Sequence, residues 1–225
     1  MNKNKYIKIK KLLDKTNVSN FESVQNYGLY SGDKNFFKIL KIYETIKLIG
    51  KVKGDIIEFG TWDGNTGILI AKILKLLKIK KKIYLLDSFL GLKDLSKEDK
   101  SRKIFNLYQG NLSRLRDIIN FFKLDNVEII KKDVNKLKID YFKKFCFSLI
   151  ILDLGLYLPT KNALTLTKDH LSKRGIFLFD QGNQQEVIGD KKALDEFLKK
   201  HKKEYTKKIF AKYPYQPDVM LIKKY

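Results

Sequence analysis

The stretch Asp55-Ile-Ile-Glu-Phe-Gly-Thr-Trp-Asp-Gly-Asn-Thr-Gly67 decides how this chain folds. Its first five residues form an apolar run that predicts a buried β-strand. The glycines that follow let the backbone turn sharply and approach a ligand closely, and helical spacing begins near Asn65. A helix that starts there presents free amide donors to a ligand. The stretch therefore predicts a strand, a ligand-binding turn and a helix.

The same alternation continues along the chain. Apolar runs predict further strands at residues 82–87, 127–131, 147–153 and 175–180, and helical spacing fills the gaps at 68–78, 112–123 and 160–173, the last ended by Lys-Arg-Gly at 173–175. The runs are nearly continuous in Ile, Leu and Val, which is typical of parallel strands covered on both faces.

The end of the chain changes character. A helix over 190–201 is followed by two predicted strands, 207–211 and 218–223, whose connection is too short for a helical crossover, so they form an antiparallel hairpin. The fold class is therefore α/β: a Rossmann-like, doubly wound sheet of seven strands, mostly parallel, with a C-terminal antiparallel hairpin. Helical spacing over 36–49 predicts an N-terminal helical cap at residues 1–50, before a main domain at 51–225.

Composition narrows the function. The chain has 47 Lys and Arg against 25 Asp and Glu, a net charge of +22, and 43 of the 47 basic residues are lysine. Because phosphate readers favour the arginine fork, this charge is weak support for nucleic-acid binding. A single cysteine, Cys146, excludes a disulfide framework, and the two histidines lie in charged surroundings that argue against a histidine metal site or a Ser-His-Asp triad. We find no signal peptide or membrane-spanning run and expect a cytoplasmic protein.

An acidic residue, Asp87, ends the second predicted strand, where a carboxylate can accept hydrogen bonds from the ribose hydroxyls of an adenosine ligand. The spacing of Gly60, Gly64 and Gly67 does not give the G-x-G-x-x-G pattern of dinucleotide sites. A compact adenosyl ligand therefore fits better than NAD. The arrangement resembles motifs I and II of the class I S-adenosylmethionine-dependent methyltransferases.

Four segments narrow the family further. They are Gly54-Asp-Ile-Ile-Glu-Phe-Gly60, Leu86-Asp-Ser-Phe-Leu-Gly-Leu92, Leu152-Asp-Leu-Gly-Leu-Tyr-Leu-Pro-Thr160 and Arg174-Gly-Ile-Phe-Leu-Phe-Asp180. In this order they resemble the macrocin O-methyltransferase (TylF) family from about residue 36 onward. The resemblance implies that residues 51–225 form a class I methyltransferase domain. It also implies transfer of a methyl group from S-adenosyl-L-methionine to a sugar hydroxyl, in the assembly of a glycan, a surface polysaccharide or a secondary metabolite.

The same resemblance implies roles for individual residues. Asp153 is the expected base or metal anchor and Asp180 the second such group. The expected cofactor contacts are Glu58, Gly60, Thr61, Gly64 and Asn65 at the methionine end, Trp62 beside the sulfonium, Asp87 and Ser88 at the ribose, Asp133 at the adenine, and Asp153.

The chain departs from the family pattern at the positions where the family has magnesium-binding aspartates. Its Asp-x-Asp-x-Tyr pattern reads Asp153-Leu-Gly155-Leu-Tyr157 in this chain, and its Asp-Asp pair reads Asp180-Gln181. Two carboxylates, Asp153 and Asp180, are left as metal ligands, whereas Mg²⁺ requires octahedral oxygen coordination. Water and substrate could complete the shell, so the sequence leaves dependence on Mg²⁺ open.

Several segments have two readings. Residues 93–103 are charge-rich and fit either a lid over the acceptor or a solvated loop, and residues 213–217 fit either the acceptor site or a simple hairpin connection. The basic run at 3–15 fits a helix on an anionic membrane surface or on the phosphates of a glycan carrier, and equally a packed or dimer-forming helix. The positive charge favours phosphate-bearing or lipid-linked acceptors, and a homo-oligomer is compatible with the sequence.

Two alternatives to a sugar methyltransferase stay open. An RNA methyltransferase is favoured by the net charge, but the chain has no Asn/Asp-Pro-Pro-Tyr tetrapeptide and no catalytic cysteine pair. A catalytically degenerate methyltransferase fold that acts as a binding protein is favoured by Gly155 and Gln181, which stand where the family has carboxylates.

Overall fold

A computed structural model describes residues 27–93, 95–99, 107–183, 188–211 and 215–225, together with seven single positions before residue 27. Most of the basic run at 3–15, residues 94 and 100–103 of the charge-rich segment, and residues 213 and 214 of the hairpin connection lie outside the described residues. No helix in the described part of the chain is both long and apolar enough to cross a membrane.

The described elements alternate as the sequence predicts. In chain order they are α1 (Tyr27–Tyr30), α2 (Asp33–Ile49), β1 (Asp55–Phe59), α3 (Asn65–Leu76), β2 (Ile83–Asp87), α4 (Leu112–Phe121), β3 (Val127–Lys131), β4 (Phe147–Leu152), α5 (Tyr157–Thr167), β5 (Leu171–Phe179), α6 (Ile188–His201), β6 (Tyr205–Ile209) and β7 (Val219–Lys223). Short 3₁₀ turns occupy Val134–Lys136, Ile139–Phe142 and Lys168–His170.

The strands form one seven-stranded sheet in the order β3-β2-β1-β4-β5-β7-β6. The first five strands pair in parallel, and β7 pairs antiparallel with both β5 and β6. This confirms the mostly parallel doubly wound sheet with a C-terminal antiparallel hairpin. The strand order reverses between β1 and β4, and the crevice at such a switch point is where open α/β sheets bind their ligands.

Both faces of the sheet are covered, which explains why its strands are apolar without alternation. One core contains Ile57, Phe59, Phe177 and their neighbours and is covered by α5 and α6. The other contains Ile56, Leu85, Leu178 and their neighbours and is covered by α2, α3 and α4.

The predicted end of the helix over 160–173, which corresponds to α5, was wrong. We expected a helix to residue 173, ended by Lys-Arg-Gly, but α5 ends at Thr167 and β5 already begins at Leu171. Leu171 is buried and pairs with Phe147 of β4, so the core draws the chain into the sheet four residues early. The turn signal at 173–175 marks an irregularity inside the strand, where Arg174 has a positive φ of 63°.

Helix α2 belongs to the core. Ile42, Ile46 and Ile49 lie on one side of the helix and are fully buried in the same cluster as the sheet residues Ile56 and Leu178. The spacing of four and three residues places them on a single helical face. The division of the chain into a cap at 1–50 and a domain at 51–225 stays a prediction.

We expect Ile46→Ala to lower the free energy of unfolding by about 2–5 kcal/mol, because it opens a cavity in the core. Leu48→Ala is the matched control, since Leu48 lies on the same helix and is 53% exposed; its change should stay within about 0.5 kcal/mol. Chemical denaturation followed by circular dichroism measures both. A main unfolding transition that Ile46→Ala leaves unchanged would show that α2 unfolds apart from the sheet.

Candidate active site

Two backbones almost touch at the carboxyl ends of β1 and β4. The amide of Asp153 donates to the carbonyl of Phe59 at 3.0 Å, and the amide of Asp180 donates to the carbonyl of Leu152 at 3.0 Å. A Cβ at Gly60, where φ is +82°, would lie 1.9 Å from the carbonyl oxygen of Asp153. Glycine is therefore required at position 60, and the first residues after β1, β4 and β5 stand side by side.

A cavity of about 500 Å³ opens above this edge of the sheet. Its walls come from the loops after all five parallel strands, from α2 and from the hairpin connection. The residues that line it include Lys38, Glu58, Gly60, Thr61, Trp62, Asn65, Asp87, Ser88, Lys132, Asp133, Lys136, Asp153, Gly155, Asp180, Gln181 and Gln216.

The cavity brings together the predicted site residues with one exception. Gly64 is not among the lining residues. It caps the N-terminus of α3 with φ +82°, and it faces the core, since a Cβ there would lie 2.2 Å from Leu115 Cδ1. In the structure, its left-handed conformation allows α3 to begin directly after the loop that follows β1. The contacts of the other predicted residues with a cofactor stay predictions.

Asp87 connects two of the loops that form the cavity. Its Oδ2 accepts the backbone amide of Trp62 at 2.7 Å, and its Oδ1 accepts that of Phe89 at 2.7 Å. Burial raises the pKa of Asp87, against these amide hydrogen bonds, which lower it. Each carboxylate oxygen still has lone-pair capacity for a ligand hydroxyl.

Trp62 stands at the rim of the cavity in the left-handed region, with φ 49°. Its indole N–H donates to the carbonyl of Gln109 at 3.3 Å, and its ring meets Tyr108 edge to face with the centroids 5.6 Å apart. The segment around 108–109 therefore holds the tryptophan against the mouth of the cavity.

Two buried polar atoms on the cavity wall have no hydrogen-bond partner among the described residues: Glu58 Oε2 and Thr61 Oγ1. The side chains are almost fully buried, with Glu58 only 1% exposed. Burial raises the pKa of Glu58 to about 8, with Asp153, Asp180 and Asp87 adding to the effect and Lys38 opposing it. Leaving a buried polar group unpaired is costly, so both atoms suit a ligand that donates hydrogen bonds or carries positive charge.

Lys38, which was not predicted from the sequence, reaches the cavity from α2. Its Nζ donates to Asp180 Oδ1 at 3.1 Å and lies 4.0 Å from Asp153 Oδ2. Burial lowers the pKa of the Lys38 ammonium, but Asp180, Asp153 and Glu58 together raise it above its usual value. Burial and the neighbouring Asp180 also raise the pKa of Asp153, against Lys38.

Two buried aspartates behind the site were also missed. Asp190 on α6 accepts the amide of Gly155 at 3.2 Å and the hydroxyl of Thr160, and burial raises its pKa well above the usual range. Asp218, just before β7, accepts the amides of Gly182 at 2.7 Å and Asn183 at 2.9 Å, and burial raises its pKa to about 6. Both fix loops that carry site residues.

Among the residues that the structure describes, no group of three or more His, Cys, Asp or Glu side chains is arranged to hold a metal ion. The two predicted metal ligands, Asp153 and Asp180, both pair with the Lys38 ammonium. Gly155 contributes no side chain, and Gln181 is neutral.

Known proteins similar to this chain include O-methyltransferases. The family model of macrocin-O-methyltransferase (TylF) matches residues 26–210. A search of curated proteins found no match.

Solved structures similar to this chain include CalS11, a calicheamicin methyltransferase. It has 19% identity and a TM-score of 0.81 over 98% of this chain and 91% of its own. The apo form of CalS11, a TDP-rhamnose 3'-O-methyltransferase, has 18% identity and a TM-score of 0.73 over 98% and 93%. The O-methyltransferase NovP has 20% identity and a TM-score of 0.66 over 84% and 79%. At these identities the structures establish the fold.

The pKa of Glu58 predicts how stability depends on pH. Because folding raises this pKa from 4.5 to about 8, the folded protein holds the proton more tightly than the unfolded chain. The stabilising contribution is complete below about pH 4.5 and is lost as the pH rises through about 8. Glu58→Gln cannot ionise, so its free energy of unfolding should rise relative to wild type by roughly 2–4 kcal/mol between about pH 5 and pH 8.

Denaturant titrations of both proteins at the two pH values measure this difference. Glu44→Gln is the control, because Glu44 is on the surface of α2 and its side chain is 56% exposed. Its difference from wild type should be the same at both pH values. An equally constant difference for Glu58→Gln would contradict a buried carboxyl with a raised pKa.

Proposed function

This chain belongs to the macrocin-O-methyltransferase (TylF) family, a family of O-methyltransferases, and we propose that it methylates a sugar hydroxyl with S-adenosyl-L-methionine. The products that fit are glycans, surface polysaccharides and secondary metabolites. The observation that carries the proposal is a pair of buried oxygens on the wall of the cavity, Glu58 Oε2 and Thr61 Oγ1, which have no hydrogen-bond partner in the described part of the chain.

S-adenosyl-L-methionine carries groups that would pair with these buried oxygens. Its methionine end carries an ammonium group, which would pair with Glu58 Oε2, and we assign Thr61 and Asn65, which also line the cavity, to the same end of the cofactor. Gly60 provides the close backbone approach, and Trp62, which lines the cavity, would lie beside the sulfonium. Pairing with a cation favours the ionised form of Glu58 and offsets the cost of its burial.

The nucleoside end of the cofactor would lie against the residues at the ends of β2 and β3. Asp87 and Ser88, at the end of β2, would accept the ribose hydroxyls, and Asp133, after β3, would accept the adenine amine. Asp133 already accepts the amide of Asn135 at 2.9 Å, which fixes its side chain at the cavity wall. A carboxylate oxygen can accept a second hydrogen bond, so this contact does not occupy the group.

When bound, the sulfonium supplies the methyl group for an in-line displacement in which the S–CH₃ bond breaks as an O–CH₃ bond forms. The chain has to orient the acceptor hydroxyl and remove its proton. We assign the base to Asp153, whose raised pKa suits a proton acceptor, and assign Asp180 to the positioning of the acceptor. Gly155 also lines the cavity, and its lack of a side chain would leave space for a sugar ring beside them.

The acceptor's anionic part has candidate partners at the rim. Lys93, Lys132 and Lys136 line the cavity, and the protein as a whole carries a net charge of +22. Such a field attracts phosphate-bearing molecules. We therefore propose a sugar linked to a nucleoside diphosphate or to a lipid diphosphate as the acceptor, and a cytoplasmic site of action.

Titration of S-adenosylhomocysteine by calorimetry tests the cofactor site. We expect micromolar binding to the wild type and a loss of about tenfold to a hundredfold in Asp87→Asn, since a hydrogen bond to a charged group is removed. The control is Asp125→Asn, because Asp125 is exposed on the loop before β3. Binding of NAD in place of S-adenosylhomocysteine, or binding of neither, would contradict the assignment.

Mass spectrometry after incubation with S-adenosylmethionine tests the acceptor. We expect a product one methyl group heavier from nucleoside-diphosphate sugars and not from the matching free sugars. Asp153→Asn should lose at least about a hundredfold in rate at saturating S-adenosylmethionine, within the usual contribution of a general base. Methylated RNA with sharply salt-dependent binding would favour the RNA methyltransferase instead. Cofactor binding without any product from a broad sugar panel would favour the degenerate binding protein.

A further inference from the structure

The position of Lys38 follows from the buried face of α2. Lys38 is four residues before Ile42 and eight before Ile46, so it lies on the same face as these two core residues. Because that face packs on the sheet, the lysine side chain is directed toward the sheet as well, at the level where the strands end. The packing of α2 therefore places an ammonium group among the carboxylates of the site.

The ammonium lies within salt-bridge distance of both candidate metal ligands. Its nitrogen is 3.1 Å from Asp180 Oδ1 and 4.0 Å from Asp153 Oδ2, and the Asp180 side chain is only 6% exposed. A divalent ion bound to both carboxylates would lie within about 2.0–2.6 Å of their oxygens. It would then be in close contact with the ammonium, and two cations in a buried site repel each other strongly.

The remaining donors do not suit a divalent ion either. Gly155 has no side chain, and its amide donates to Asp190, while Gln181 can offer only a neutral oxygen. The described residues thus provide two carboxylates that already share one cation. This donor set does not fit the magnesium ion that the family resemblance implies.

We propose that the Lys38 ammonium is the permanent cation of the acceptor site and that methyl transfer by this chain requires no divalent metal. The inference rests on the proposed function, since it concerns the cavity assigned to the acceptor. Lys38 holds Asp180 and Asp153 in place in the absence of a metal. Of its three N–H groups, Asp180 takes one within the described part of the chain, which leaves donors for the acceptor oxygen.

Binding of Mn²⁺, measured by electron paramagnetic resonance of the free ion, tests the proposal without any acceptor. Wild type and Lys38→Arg, which keeps the charge, should bind no Mn²⁺ at this site. Lys38→Met and Lys38→Gln leave two carboxylates with no cation, so both should bind Mn²⁺ at least about tenfold more tightly than the wild type. Asp180→Asn added to either variant should remove this binding.

Lys41→Met is the matched control. Lys41 lies one turn further along α2 and pairs with the surface residue Glu44 at 2.7 Å, so its loss should not create an Mn²⁺ site. Thermal unfolding provides a second measurement: Mn²⁺ should raise the melting temperature of Lys38→Met and Lys38→Gln and leave those of the wild type and Lys41→Met unchanged.

Two results would overturn the proposal. One is stoichiometric Mn²⁺ binding by the wild type that Asp180→Asn abolishes. The other is the absence of any gain in Mn²⁺ binding in folded Lys38→Met and Lys38→Gln. S-adenosylhomocysteine titrations of the same proteins, with EDTA and with Mn²⁺, separate this failure from failure of the proposed function. Absence of cofactor binding by the wild type would contradict the methyltransferase assignment, whereas the Mn²⁺ series judges the role of Lys38 alone.

Discussion

The close approach of the β1 and β4 backbones is the constraint on which the rest of the site depends. With no side chain at Gly60, the carbonyl of Asp153 can sit against the turn after β1, and the ladder of hydrogen bonds continues one residue beyond the strands. The loops on either side of this contact then diverge, because the strand order reverses there. The cavity between them is the space that this divergence leaves.

The electrostatics of the molecule differ between its surface and its site. The chain carries 43 lysines, yet the cavity contains the buried carboxylates Glu58, Asp153 and Asp180, and the last two share one ammonium. The outer field attracts anions over a long range, while the buried carboxylates favour a cationic group at close range. This combination suits a reaction between an anionic sugar derivative and a sulfonium donor. Asp190 and Asp218 hold the loops after β4 and β5, which carry Gly155 and Gln181 of the site.

The sheet could be predicted from sequence because its strands are buried on both faces, so each one appears as a nearly continuous apolar run. The ends of the helices and strands were harder to predict. The Lys-Arg-Gly at 173–175 is a local turn signal, whereas the burial of Leu171, which starts β5 earlier, depends on the whole core. Asp87, Asp153 and Asp180 could be found because Asp87 ends a strand and the other two directly follow strands. Lys38 could not, because it is one lysine among 43 on a helix remote in sequence, and only the packing of α2 makes it different.

The insertion of β7 between β5 and β6 has a consequence for the order in which the sheet forms. β6 precedes β7 in the chain but pairs only with β7 in the described sheet, so it cannot join the sheet before β7 does. Until then β5 presents an open edge whose residues Ile176–Phe179 are otherwise fully covered. An unpaired, flat, apolar strand edge is a template for pairing with another chain. By covering this edge, the hairpin also protects the chain against aggregation. It can do so only after β7, its second strand, has been synthesised.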